Sequence, residues 1–353
     1  MSLLVRIKHL DGMRGLAIML VVMYHSFYRW HEIEPYEQIK ILKDIFQYGW
    51  LGVQLFFAIS GFVIFMSLHN SENISVFLTK RWLRLFPLML ICSLFIIFYQ
   101  FIMGDNFFLF KNEITDIIPG IFFIDPETLN TIFNTDFNSL DGAFWSIYIE
   151  VKFYILVSVF YFIFRDKKLY SIFILYLIFF FLKVLKLFDI KFTILLDFLE
   201  YLGVSYYAWF IVGISLYQYK NLSDNRYILC SIFFGILGCL QLIGNGFLVT
   251  AIALFLLFIF VCSFFSSIVQ RILNYNFLIF LGAVSYPLYL FHQKFIISFS
   301  IFFGSKNDIL DGYQNFFPLI FLFLSIFIAF IFSKLESPLR KFFSSIIYKL
   351  KLV

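Results

Sequence analysis

Apolar residues along the chain gather in long unbroken blocks rather than in short alternations with polar ones. Ten blocks stand out, over residues 14–30, 47–68, 83–103, 144–164, 169–187, 199–219, 227–243, 246–265, 279–303 and 315–335. A helix needs roughly 20 apolar residues to cross a hydrocarbon core about 30 Å thick. Each block therefore predicts one membrane-spanning helix. The fold class expected is all-α, a polytopic transmembrane helical bundle of about ten spans. The period-two alternation of an outer-membrane barrel is absent from the pattern. Most connections are short. The exception is 104–143, which is acidic, has no long apolar run, and has the length of a functional lid. A basic amphipathic piece, KRWLRLFP, precedes the third block. There is no internal repeat and no Gly/Ser- or Pro-rich linker, so a single integral-membrane domain over 1–353 is expected.

Composition supports this picture. The chain is 62% hydrophobic and 14% charged, with mean hydropathy +0.91, whereas a soluble domain carries about 25% charged residues. The first block is too long for a signal-peptide core and has no small-residue cleavage pattern after it, so it is expected to be a retained anchor. Cys92, Cys230, Cys239 and Cys262 all lie in apolar blocks, without CxxC spacing or a nearby His. They are expected to pack in the core, with no metal site and no disulfide framework. The 55 Phe are expected to be mainly lipid-facing bulk. No nucleic-acid partner is expected.

Charge distribution sets the expected orientation. With the N-terminus in the cytoplasm, inner segments hold sixteen Lys/Arg and outer segments eight, with Arg14, Lys152 and Lys294 inside blocks. The positive-inside bias places both termini in the cytoplasm. The acidic segment 104–143 then lies outside.

A few polar residues interrupt the blocks, and these are the candidate chemistry. A cation at mid-span costs about 2.5–3.5 kcal/mol on insertion scales, so intramembrane charges tend to be functional. Arg14 and His25 stand eleven residues apart in LDGMRGLAIMLVVMYHSFYRW. At about 100° per residue they return to one helix face, about 16 Å apart along the axis. Counting from the block ends puts His25 and Glu150 about 7 and 9 Å below the outer surface and His292 in the outer half as well. A polar site built from His25, Glu150 and His292 is expected there. The alternatives are packed histidines and a structural ion pair between Glu150 and Lys152 or another cation. Asp11, Arg14, Arg81 and Arg84 form a second group at the inner surface, where the arginines suit phosphate; topology alone also accounts for basic residues there. Trp145, Tyr148 and Tyr154 fit an interfacial aromatic belt. Gly49, Gly52, Ser60 and Gly61 are expected to allow close helix packing, and Pro87 and Pro287 to break helices near the site.

These segments carry a family resemblance. LDGMRGLAIMLVVMYH, GVQLFFAISGFVIF, RWLRLFP, FWSIYIEVKFY and SYPLYLFH occur in that order from residue 9 to 292. Together they resemble the motif series of the acyltransferase 3 family, whose Arg-x10-His pair lies in the first transmembrane helix. The resemblance implies a membrane-bound acyltransferase. It would move an acyl group, most often acetyl, from an acyl-coenzyme A donor such as acetyl-CoA to a hydroxyl of a carbohydrate, a cell-surface polysaccharide or its lipid-linked precursor. It implies that Arg14 and His25 are functional and that Arg81, Arg84 and Glu150 are motif positions. Some members carry an extra SGNH hydrolase-like domain, and a stand-alone form is expected here. A bacterial plasma (inner) membrane and polysaccharide-assembly partners in the envelope are implied as well.

The expected roles follow. Arg14, Arg81 and Arg84 hold the donor. His25 is the general base or, alternatively, the acyl carrier, and Glu150 orients it. Trp145, Ser146, Tyr154 and His292 are the candidates for acceptor contact. The rival expectations are a proton-coupled transporter or flippase of glycolipids or small molecules, since intramembrane His and Glu also serve proton relays, and a non-catalytic envelope scaffold.

Overall fold

A computed structural model describes residues 7–33, 39–104, 111–164, 168–186, 193–306 and 313–349. Five of the basic residues in the orientation argument (Arg6, Arg165, Lys167, Lys191 and Lys351), and the acidic Asp105, lie outside these stretches. All regular structure among the described residues is helical. In chain order the α-helices are α1 (Lys8–Phe27), α2 (Lys40–Phe46), α3 (Gly52–His69), α4 (Ile74–Met103), α5 (Ile117–Phe122), α6 (Pro126–Phe133), α7 (Trp145–Ile163), α8 (Lys168–Lys186), α9 (Thr193–Tyr201), α10 (Tyr207–Leu222), α11 (Arg226–Leu240), α12 (Phe247–Cys262), α13 (Ser267–Leu273), α14 (Asn276–Lys306) and α15 (Phe317–Lys349).

Nine of the ten predicted blocks each fall on one of these helices, and the sixth, 199–219, is divided between α9 and α10. Among the described residues, five segments are long and apolar enough to cross a membrane, or seven if α9 with α10 and α12 with α13 each count as one bent span, against the ten expected. The sixth block is thus broken at residues 202–206, where Gly203 takes φ +76° and the chain turns by 69°. Pro87 and Pro287 do not break their helices, contrary to expectation; α4 and α14 continue through them, as α15 does through Pro338. A proline costs one backbone hydrogen bond, and helices packed on both sides tolerate that loss. The residues following the first two, Leu88 and Leu288, are fully buried.

The chain divides into two compact units, each assembled from three separated stretches. The first comprises Met1–Met13, Val53–Arg81 and Ile149–Tyr275. Its centre is α10, buried from Tyr207 to Gln218. Here α3 and α10 touch backbone to backbone: a Cβ on Gly61 would overlap the Phe210 carbonyl, and one on Gly213 the Ala58 carbonyl. Phe153 of α7 stacks on Phe210 with ring centroids 4.0 Å apart.

The second unit comprises Arg14–Gly52, Trp82–Tyr148 and Asn276–Val353. Part of its phenylalanine content packs inside the unit. Phe95 of α4 packs against Phe291 and Phe295 of α14 and Phe332 of α15 at 5.3–6.0 Å, although many other Phe are exposed. The segment after α4 is ordered by buried polar residues. Asp116 accepts from the amides of Glu113 and Asn138 and from Asn112 Nδ2 at 2.7–3.0 Å. Gln100 of α4 ties this segment to the bundle by donating to the Asn112 carbonyl at 2.7 Å. Asp125 caps α6 through the amide of Thr128. All four cysteines are free; Cys92 and Cys239 are buried and the other two partly so.

Candidate active site

In the second unit, α1 and α14 approach at Gly15, where a Cβ would overlap the Leu278 carbonyl. Ten residues further along α1 and fourteen along α14, His25 meets His292, so the two helices run parallel. Helix α1 is unbroken from Arg14 to His25, as a shared face requires. His292 has no exposed surface and His25 is half-buried.

The hydrogen-bond partners assign the tautomers. His292 Nδ1 lies 3.0 Å from the Tyr289 carbonyl and 3.2 Å from that of Leu288. Carbonyl oxygens only accept, so Nδ1 carries the proton, and neutral His292 presents a bare Nε2. That Nε2 is 3.1 Å from His25 Nδ1, which also lies 2.9 Å from the Val21 carbonyl. With an acceptor on each side, His25 Nδ1 carries a proton shared between them. His25 Nε2 is left as a lone pair. A positive charge arising on His25 would be stabilised through Nδ1 by His292. The second imidazole thus stands where many hydrolases place a carboxylate.

Two further bonds position α14. Tyr289 OH donates to the Ala143 carbonyl at 3.0 Å and lies 2.7 Å from Ser146 Oγ. Tyr286 OH donates to the Leu85 carbonyl at 2.9 Å. Ser146, expected at the acceptor, is therefore engaged with the helix that carries His292, and Trp145 beside it is 40% exposed.

Glu150 belongs to the first unit. Its Oε1 accepts from Ser60 Oγ at 2.7 Å and Tyr154 OH at 2.6 Å. Ser60, expected only to allow close packing, is thus a ligand of this carboxylate. The alternative ion pair with Lys152 is not formed; Lys152 Nζ instead donates to the Tyr201 carbonyl at 3.0 Å and sits over the Tyr201 ring. Arg81, in the same unit, lies 5.8 Å from the Phe77 ring and 5.9 Å from that of Tyr154. In the second unit Arg84 pairs with Glu336 of α15, a partner that nothing in the sequence singled out, and lies 5.9 Å from the Tyr286 ring. Arg14 is half-buried on α1.

The second unit also holds a cavity of about 200 Å³ lined by Trp30, Asn112, Asp141, Gly142, Gln293 and Lys294, among others. None of these residues stands out in the sequence as part of a site. One signal was available: Gln293 and Lys294 follow His292 directly in an apolar block. Asp141 caps the turn before α7 by accepting from the Ala143 amide at 2.8 Å, and its other oxygen takes the Lys294 amide at 3.0 Å. Burial pushes the Asp141 carboxyl up to about 6, against the pull of those amides and of the Lys294 ammonium. Lys294 Nζ donates to Asn112 Oδ1.

Comparison with known proteins gives the family. A 152-residue stretch is 28% identical to an O-acetyl transferase of Shigella phage Sf6, covering 42% of this chain and 44% of that protein. The chain thus matches less than half the length of that relative. No solved structure matches it. The profile of the acyltransferase 3 family, described as an acyltransferase domain, matches residues 7–335. That span contains Arg14, both histidines and Glu150, and with so nearly complete a match the chain belongs to the acyltransferase 3 family.

Proposed function

We propose that this protein is a membrane-bound O-acetyltransferase that moves an acetyl group from acetyl-CoA to a hydroxyl of a carbohydrate acceptor, a cell-surface polysaccharide or its lipid-linked precursor. The observation that carries it is the hydrogen-bonded pair His25–His292, which leaves His25 Nε2 as a bare base on the helix that also bears Arg14. The family membership and the name of the phage relative support the reaction class.

In the proposed reaction His25 Nε2 takes the proton of the acceptor hydroxyl as its oxygen attacks the thioester carbonyl. Such general-base help is worth about 10²–10⁴ in rate. The carbon–sulfur bond then breaks, and the leaving thiolate recovers the proton from the imidazolium. His292 Nε2 accepts from His25 Nδ1 throughout. Arg14 and Arg84, in the second unit, supply positive charge for the donor's phosphates, Arg84 by exchanging Glu336 for phosphate. Arg81 and Glu150, in the first unit, are motif positions of the family, with the Glu150 oxygen held by Ser60 and Tyr154.

We place the protein in a bacterial inner membrane with ten spans and both termini in the cytoplasm, beside envelope-assembly proteins. The parallel run of α1 and α14 supports the alternation, because the seven blocks between them make an odd number of crossings.

The test is mass spectrometry of surface glycans from cells with the protein, with His25→Ala, and with neither. The expected result is an increment of one acetyl group in the first sample alone. An equal increment from the alanine variant would remove His25 from the chemistry, and uptake of a glycolipid without any acyl transfer would favour a transporter.

A further inference from the structure

The cavity beyond the histidine pair has features of a built binding site rather than of a packing gap. Gln293 is 9% exposed and lines the cavity, yet its side-chain amide makes no hydrogen bond among the described residues. Its amide therefore keeps its donors and acceptor open to whatever fills the cavity. Its place is guarded: a Cβ at residue 142 would come within 2.7 Å of Gln293 Nε2, so Gly142 leaves the amide its room. Other polar residues of the lining are held in place. Asp141 is locked by two backbone amides, Lys294 by Asn112, and Asn112 in turn donates to Asp116 at 2.9 Å. Trp30 contributes a flat indole, with Arg29 4.6 Å from its ring.

Position and charge narrow the ligand. Trp30 lies five residues past His25, and Gln293 and Ile297 lie one and five past His292, so along both stretches the cavity is on the side away from Arg14. A volume of about 200 Å³ holds one sugar ring and no extended chain. The only cation lining the cavity among the described residues, Lys294, is balanced by Asp141 and by Asp116 behind it, which makes a poor site for phosphate or carboxylate. An aromatic wall with planar polar groups converging on it suits the apolar face and hydroxyl rim of a pyranose.

We propose that this cavity is the acceptor subsite and that it takes a single neutral pyranose ring, held against Trp30 and hydrogen-bonded by Gln293. This rests on the acyl-transfer reading given above, and the experiment keeps the two apart. The full chain in nanodiscs is titrated by calorimetry and by saturation-transfer NMR with neutral methyl pyranosides (glucoside, galactoside, rhamnoside and N-acetylglucosaminide) and with the matching uronosides. These measurements need no acetyl-CoA. We expect at least one neutral pyranoside to bind and the uronosides to bind more weakly. Gln293→Ala and Trp30→Ala should weaken binding by about tenfold or more, the usual cost of one buried contact. Gly142→Ala, which presses on the amide from the cavity wall, should weaken it in the same direction and covers the case in which the larger truncations fail to fold. Binding of uronosides as tightly as neutral sugars, unaltered affinity in folded variants, or no pyranoside binding by the wild type would each overturn the subsite. Sugar binding that responds to these variants in a protein with no transferase activity would instead overturn the acyl-transfer reading and leave the subsite standing.

Discussion

At the scale of single residues, the unusual feature is a base held by another neutral imidazole. In hydrocarbon a carboxylate partner would bring its own desolvation cost, whereas the His25–His292 pair can rest uncharged and be polarised only during turnover. On the proposed mechanism His292 is a positioning residue, and that role separates from mere packing by rescue. His292→Phe, which fills the space without an acceptor, should lower kcat by about 10²-fold or more, within the range expected of a base left unsupported. His292→Gln, whose amide oxygen can accept from His25 Nδ1, should recover a substantial part. Equal kcat in the two variants would show that His292 only fills volume. The sequence singled out His25, Glu150 and His292 as candidates because ionisable groups in apolar blocks are rare; the structure pairs the two histidines, while Glu150 belongs to the other unit. It did not reveal that the histidines bond to each other rather than acting separately, or that Ser60 and Tyr154 serve Glu150. Those pairings join residues 90 and 267 positions apart as well as near neighbours, and no local periodicity encodes them.

At the scale of elements, glycine decides where helices meet. The backbone contact of α1 with α14 at Gly15 brings the two histidines within reach, and no larger residue fits there. Gly15→Val should push the helices apart by an ångström or more. Misplacement of that size costs about 10² in rate. The expected outcome is loss of transfer on that order in a protein that still reaches the membrane, checked by activity per mole of folded protein in detergent. Wild-type turnover in the variant would show that α1 and α14 do not need this contact. Block positions predicted the helices well, since bilayer thickness imposes their length. Their breaks were less legible. Pro87 and Pro287 are accommodated within continuous helices, while the sixth block is interrupted at Gly203. Whether a helix survives a proline depends on its neighbours, and a single sequence does not name them. The segment 104–143 shows in the sequence only its acidity and its lid-like length; Asp116, Asn112 and Gln100 pin its described part to the bundle by hydrogen bonds that no run or period announces.

At the scale of the whole molecule, the proposed topology makes a direct prediction. With the four native cysteines replaced, Thr131→Cys on the segment after α4 should react with a membrane-impermeant maleimide in intact cells. Asn225→Cys, in the turn between α10 and α11, should react only after permeabilisation; both positions are exposed. The reverse pattern would invert the orientation, and labelling of both in intact cells would break the alternation between them.

The parallel course of α1 and α14 has a consequence for energetics. Under the proposed reading, with Arg14 at one end of α1 and the cavity past the other, donor and acceptor would approach from opposite compartments and never share a solvent. The transfer would then be vectorial: a thioester would be spent on one side and an ester would appear on the other, while only a two-carbon fragment changes place. On that reading the cell would set the decoration of its exterior through the charge of its internal acetyl-CoA pool alone.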